Sequence, residues 1–392
     1  MSPKKRTIGV ILLIQLLIGM HFAAQRYFFP IYIKDELGHS AALASAFVSL
    51  SQLVGMLGAL LGGALPNTLG RKKTLRLGLS ALFLSNFTFL VAVPWQLAIL
   101  WPLGSLALSF QSLISQSYLI ELVGKKGRLG ILSALYNWGF TLGGALGNPV
   151  AGVVLDRHGF PLFAVILLGL TLLPLTLVIL GLPNQPPLHQ QSRSGHRARL
   201  ANYLTIVRRP QVIRLGLLRF LPTLYWGMAT LLLPLLINDL TGRKTAVAFY
   251  VTASLILASL SQLIAGYFAD RVGSRLPTLT AFSILTASIF GLALYAEELW
   301  GLYLFGILGA AAAWALSTLM PSLVARISRP QEEGRILGLL VFLWNIAMMA
   351  GSLTGGALVS VHPGLPFLLA GLASLGALLI AHSFFAHPAQ TA

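Results

Sequence analysis

The chain has no cysteine in 392 residues, so it cannot build a disulfide, a thiolate metal site or a cysteine nucleophile. Acids are scarce too: ten Asp and Glu stand against 27 Lys and Arg. All ten fall at or near the ends of apolar runs, namely Asp35, Glu36, Glu121, Asp156, Asp239, Asp270, Glu297, Glu298, Glu332 and Glu333. Proton relay through a carboxylate buried at mid-membrane, and selection of cations by such a carboxylate, therefore have no residue to rest on. The phosphate-cradling string Gly-x4-Gly-Lys-Ser/Thr is missing, which leaves direct ATP drive unsupported. No His and acid residues cluster in the sequence, so neither a metal centre nor a nucleophilic enzyme is indicated, and no cofactor is expected. Basic residues are not interleaved with exposed aromatics along any face, which argues against nucleic acid as a partner.

What is present is apolar. Hydrophobic residues make up 56% of the chain and charged ones 9%, and the mean hydropathy is +0.81. Such a composition belongs in a bilayer. Runs of about 20 apolar residues recur, each long enough to cross a hydrocarbon core of roughly 30 Å as a helix. They lack the alternation of a barrel strand, and a helix alone satisfies every backbone group within one segment. Breaks at charged, Gly and Pro residues give twelve expected spans: 7–33, 41–65, 74–94, 96–120, 129–154, 161–182, 211–238, 246–268, 277–296, 299–322, 335–361 and 364–386. The opening MSPKKRTIGVILLIQLLIGM has a basic start like a signal peptide, but its apolar stretch runs on to Ile33 and reads as a first span.

The cations mark topology. Placing alternate loops on opposite sides puts 21 Lys and Arg on one side and four on the other, with Arg26 and Arg219 inside spans. The richer side is expected to be cytoplasmic, and with an even number of spans both termini lie there. The stretch 183–210 is the one long polar segment, and reads as a cytoplasmic linker between an N-terminal six-helix bundle, 1–182, and a C-terminal one, 211–392. The halves repeat: the segment from Pro30 is echoed from Pro234, and GRLGILSALYNWGFTLGG from Gly127 by GRILGLLVFLWNIAMMAGS from Gly334. Parallel repeats of this kind accompany a pathway between two bundles that rock about a central site.

At the loop after the second span the string is Gly63, Ala64, Leu65, Pro66, Asn67, Thr68, Leu69, Gly70, Arg71, Lys72. It resembles the Gly-x-Leu-Ala-Asp-Arg-x-Gly-Arg-Lys loop of the major facilitator superfamily of secondary transporters. The second copy, GYFADRVGSR, keeps Gly266, Asp270, Arg271, Gly273 and Arg275. With twelve spans and a central linker, the resemblance covers nearly the whole chain. LGGALGNPVAG, residues 142–152, is similar to the glycine and proline signature of the drug:proton antiporter branch, and packing of small residues is the other reading of it. The resemblance implies an all-helical membrane fold of two pseudo-symmetric bundles, alternating access, and loops that latch the bundles. On that basis Gly63, Asn67, Gly70, Arg71, Lys72, Asp270, Arg271, Gly273 and Arg275 are gating candidates. Asn67 departs from the family acid, and an amide brings no charge to a helix N-terminus or an arginine.

Inside the spans the fixed charge is cationic. Arg219 sits about 8 residues, or roughly 12 Å, into the seventh span, with Thr223 and Trp226 on its face. A guanidinium there can bind carboxylate or phosphate bidentately, and snorkelling to the interface is the alternative. Arg26 lies in the outer third of the first span, where snorkelling is again open. His21, a turn before Gln25, is the candidate for a coupling proton, against a purely structural role. Gln111 and the repeat-related pair Asn137 and Asn345 complete the expected binding residues, with helix-to-helix hydrogen bonding as the alternative for each.

The chain is thus expected to be a secondary transporter of a bacterial inner membrane, moving a small-molecule substrate with or without a coupling proton. Lipid surrounds it, and a monomer is expected. Export of amphipathic or anionic organic compounds leads. Uptake or exchange of a small carboxylate or phosphorylated metabolite is the alternative, and a receptor or lipid-handling protein on the same fold is a second class.

Overall fold

The computed structural model describes residues 3–123, 129–184, 208–328 and 332–386, which form helices and the turns between them. The cluster Lys125, Lys126 and Arg128 and most of the expected linker, 185–207, lie outside the described residues. Helix α1, Pro3–Ile31, runs on through a π-helical turn, Tyr32–Glu36. Helix α2, Ala41–Ala64, starts at Ser40, whose hydroxyl accepts the Leu43 N–H, one of the donors that a helix start leaves unpaired. After a single turn at Pro66–Leu69 come α3, Arg71–Ser85, with its 3-10 continuation Asn86–Leu90, and α4, Pro94–Val123. Leu129–Gly181 is broken at Gly159, φ 73° and ψ −173°, into α5, 129–158, and α6, 160–181. Then follow α7, Pro210–Thr241; α8, Lys244–Val272; α9, Arg275–Leu294; α10, Leu299–Ile327; α11, Glu333–Leu358; and α12, Leu365–Ala386.

Among the described residues ten helices are long and apolar enough to cross a membrane. The difference from twelve expected spans has two physical sources. Leu135–Gly181 counts once, although its 47 residues contain the break at Gly159; at 1.5 Å per residue that is about 70 Å of helix, more than two crossings' worth. The expected span 74–94 is divided between the 15-residue α3 and the five-residue 3-10 segment. The two copies of the loop string turn at equivalent glycines. Gly70 has φ 82° and Gly273 φ 81°, a conformation that side chains with a Cβ rarely adopt.

The chain divides into two compact units. One gathers the described residues up to 184 with 241–255, and the other holds 208–240 with 256–386. In the first, α1 lies along α5 at backbone distance: a methyl at Gly143 would run into the Leu16 carbonyl, one at Gly147 would press on Met20, and Gly19 faces Phe140 in return. Small residues let transmembrane backbones meet this closely, so this part of LGGALGNPVAG serves as a packing seam. Ile11, Ile14, Ile18, Leu75, Leu79 and Phe110 fill the space where α1, α3 and α4 converge. In the second unit α7 and α11 repeat the seam, with Gly227 against Met348 and Gly351 against Leu224. An ion pair of 2.6 Å joins Arg209 to Glu332 beside the starts of these two helices. Large apolar side chains such as Leu180, Leu294 and Leu379 are exposed, which suits an exterior facing lipid rather than water.

Candidate functional site

Within the second unit, α7, α10 and α11 line a partly open cavity of about 120 Å³. Its polar lining is Arg219 and Thr223 from α7 and Ser317 from α10, and its aromatic lining is Trp226, Trp314 and Trp344 from the three helices in turn. The α7 residues reach one cavity because positions i, i+4 and i+7 share a helix face. The Trp226 and Trp314 rings meet edge to face, with centroids 6.1 Å apart and planes at 81°. Thr223 donates its hydroxyl to the Arg219 carbonyl at 2.6 Å and so turns its methyl outward. The Arg219 guanidinium, the Ser317 hydroxyl and the three indole N–H groups make no hydrogen bond to any described residue. No acid lines the cavity. It therefore offers donors and positive charge to whatever enters.

Sequence periodicity finds Arg219, Thr223 and Trp226 but passes over Trp314, Ser317 and Trp344, which other helices bring in. A signal for them existed. Tryptophan concentrates at membrane interfaces, yet Trp226, Trp314 and Trp344 all sit near the middle of their helices.

The first unit treats its polar groups differently. His21 Nε2 is 2.7 Å from Asn86 Oδ1, and Asn86 Nδ2 donates to Thr171 Oγ1 at 2.9 Å. Gln25 Nε2 donates to Ser85 Oγ at 3.0 Å. All five residues are buried, and their bonds tie α1, the end of α3 and α6 together. Because the amide oxygen of Asn86 only accepts, His21 carries its proton on Nε2, and Nδ1 faces no described partner. Gln111 is equally buried. Its Nε2 donates to Gln15 Oε1 at 2.6 Å and lies 3.3 Å from the Tyr136 hydroxyl, so it joins α4 to α1 and α5. Arg26 Nη2 is shut from solvent without a described hydrogen-bond partner, as are Thr88 Oγ1 and Trp101 Nε1, and Arg26 does not line the cavity around Arg219.

The remaining expected residues stand apart from the cavity. Asn137 is exposed, and Asn345 returns its Nδ2 to the Val341 carbonyl of its own helix at 2.9 Å. In the loop strings, the Arg71 guanidinium lies 5.7 Å from the centroid of the Tyr118 ring, and Lys72 Nζ donates to the Leu182 carbonyl at 2.8 Å. The second copy is more open. Arg271 stacks on Tyr267 at 4.4 Å, Arg275 is exposed, and Asp270 is exposed with no described partner. The side chain of Asn67 and the surroundings of Gly63 lie outside what is described.

Among the described residues the chain is helical, with ten helices of membrane length, small-residue seams in both units and a donor-lined cavity inside one of them, which fits a multi-pass membrane protein. The family model of the Major Facilitator Superfamily matches residues 11–240 and 215–392, and the chain belongs to that family. A gallate transporter of Pseudomonas putida is 26% identical over 404 residues, covering 94% of this chain and 88% of its own length. Other relatives align over about half of their length: 53% of an MFS-type transporter of Gibberella moniliformis, at 25% identity over 58% of this chain, and 44% of the class H tetracycline resistance protein of Pasteurella multocida, at 24% over 44%. Among solved structures, the nucleoside transporter NupG superposes with a TM-score of 0.80 at 14% identity, covering 96% of this chain and 99% of that one.

Proposed function

We propose that this transporter moves organic anions by alternating access between two six-helix halves, 1–182 and 211–392, with Arg219 selecting charge. The observation that carries the reading is the Arg219 guanidinium, held in a cavity without an acid or any other described partner. A half-buried cation is costly unless something pairs with it, and an incoming carboxylate or phosphate does so bidentately. Arg26 is the second cation available along the pathway, and His21 the candidate for a coupling proton, with Gln111, Asn137 and Asn345 as further contacts. The paired loops, Gly63 to Lys72 and Asp270 to Arg275, serve as latches. The 21 to 4 distribution of Lys and Arg supports cytoplasmic termini in a bacterial inner membrane.

The direction we propose is export of amphipathic anions, supported by the family resemblance and by the partial similarity to a tetracycline resistance protein. One observation favours a second reading, uptake of a small carboxylate: the alignment with the gallate transporter runs through 94% of the chain. Flux of labelled organic acids in proteoliposomes of both orientations separates the two. Anion flux that disappears in Arg219→Ala supports the charge assignment, and flux of cations in preference to anions overturns it.

A further inference from the structure

We propose that the cavity around Arg219 is a recognition site for a single-ring aromatic carboxylate. The inference rests on the reading of Arg219 as the anion-selecting residue and adds what the rest of the cavity selects.

Three features of the wall combine. The first is charge: a cavity with no acid around it is lined by Arg219, Ser317 and three tryptophans, whose guanidinium, hydroxyl and indole N–H groups make no hydrogen bond to any described residue. Tryptophan faces by themselves would also draw a quaternary ammonium group, as aromatic cages do. The Arg219 charge in the same cavity repels such a cation, so the occupant is an anion. The second is aromaticity. Trp226 and Trp314 stand edge to face at 81°, and Trp344 closes the cavity from α11. A ring entering that corner meets one indole face and the edge of another, the two geometries that aromatic pairs prefer. An aliphatic acid would gain contact area but not these. The third is size. A cavity of about 150 Å³ lined by apolar side chains holds one benzene, so the volume here, about 120 Å³, suits a single ring better than a fused polycycle.

The geometry also gives an orientation. Arg219 and Ser317 approach the cavity from α7 and α10, and the carboxylate oxygens take their donors. The ring then lies among Trp226, Trp314 and Trp344. Thr223 presents its methyl, because its hydroxyl is already committed to the Arg219 carbonyl.

The test uses the full-length purified protein and four probes: benzoate, cyclohexanecarboxylate, benzylamine and anthracene-2-carboxylate. Binding is read by quenching of tryptophan fluorescence and by thermal shift. Benzoate is expected to bind about three- to tenfold more tightly than cyclohexanecarboxylate, the margin that aromatic contacts supply beyond buried area. Benzylamine and the polycycle are expected not to bind. Trp314→Leu should weaken benzoate by more than it weakens cyclohexanecarboxylate and so narrow the difference between them, and Arg219→Gln should abolish both. The probe series on the native protein stands even if a variant does not fold. Equal affinity for the two ring acids, or binding of the polycycle, overturns the aromatic single-ring site and leaves the organic-anion reading intact. Binding of benzylamine in preference to benzoate overturns both, as does the absence of binding by any of the acids.

Discussion

In the first unit His21, Gln25, Ser85, Asn86 and Thr171 direct their polar atoms at one another across three helices, and Gln111 does the same with Gln15 and Tyr136. In the second unit Arg219, Ser317 and three tryptophans line a cavity and make no side-chain hydrogen bond to any described residue. The two units share the small-residue seam, α1 on α5 and α7 on α11, so the difference is one of side chains placed on a similar packing of helices. Polar groups in a span are expensive, and they persist either as ties between helices or as a site. The described bonds of the first unit are ties, and the second has one too, between the Thr286 and Ser374 hydroxyls at 2.8 Å, beside the donor-lined cavity that we propose as a site.

The largest effect should follow from attacking the open side of that comparison. Arg219→Ala removes a charge-assisted pair with the substrate, and hydrogen bonds to charged groups are worth about 1.5–3 kcal/mol each. Transport of an accepted organic anion should fall by at least about tenfold on that basis. Thermal stability without substrate should hold or rise, since an unpartnered cation leaves the protein interior. A variant that loses stability as well as transport would place Arg219 among the ties.

Attacking the tied side should do the reverse. Asn86→Ala leaves the His21 Nε2–H without its acceptor and removes the donor to Thr171, and a buried unsatisfied group costs about 1–3 kcal/mol, toward the lower end within a membrane. A lowered thermal midpoint with an unchanged KM in the folded fraction is expected. A raised KM with full stability would make this network part of the pathway.

A smaller effect is expected where a tie is exposed. Asp156, at the end of α5, accepts the backbone N–H groups of Lys244 and Thr245 at 2.7 and 2.9 Å and the Thr245 hydroxyl at 2.7 Å, and so caps α8 from 88 residues away in sequence. Asp156→Asn keeps an acceptor but loses the charge that complements the helix N-terminus, worth about 0.3–1 kcal/mol. Because the chain has no cysteine, a single Arg243→Cys reports the release of this cap directly. Maleimide labelling should be faster in Asp156→Asn, and an equal rate would show that the cap does not hold the start of α8.

Much of the fold was legible because its cause is local. A spanning helix must be about 20 apolar residues long and close its own hydrogen bonds. Hence the helix boundaries follow from apolar runs and the break at Gly159 from a Gly-Phe-Pro string. The change to 3-10 geometry at Asn86 was not legible, since nothing within the run 74–94 marks it. The site was half legible for the same reason. Arg219, Thr223 and Trp226 share one helix and one period, whereas Trp314 and Trp344 reach them only through packing. Repeat symmetry pairs Asn137 with Asn345, but neither lines the cavity around Arg219. It identifies corresponding positions, not neighbourhoods, and the two side chains meet different surroundings. Gln111 shares a face with Ser115, as its spacing implies, but only the tertiary structure shows Gln15 and Tyr136 waiting opposite.

The finest test of the comparison is His21→Gln, for which the smallest effect is expected. A residue that couples transport to protons must exchange its proton with water or substrate during the cycle. His21 is 1% exposed, its Nε2–H is fixed on Asn86, and it does not line the cavity around Arg219. Glutamine places an amide N–H near the Nε2 position and can keep the bond to Asn86 Oδ1. If His21 is a tie, the substitution should shift stability by no more than about 0.5 kcal/mol, within the range of one transmembrane hydrogen bond, and the pH profile of anion flux should keep its shape between pH 5 and 8, the range in which histidine changes charge. Should that profile flatten while stability is kept, the proton passes through His21. The first unit would then hold a working group of its own inside what is otherwise a set of ties.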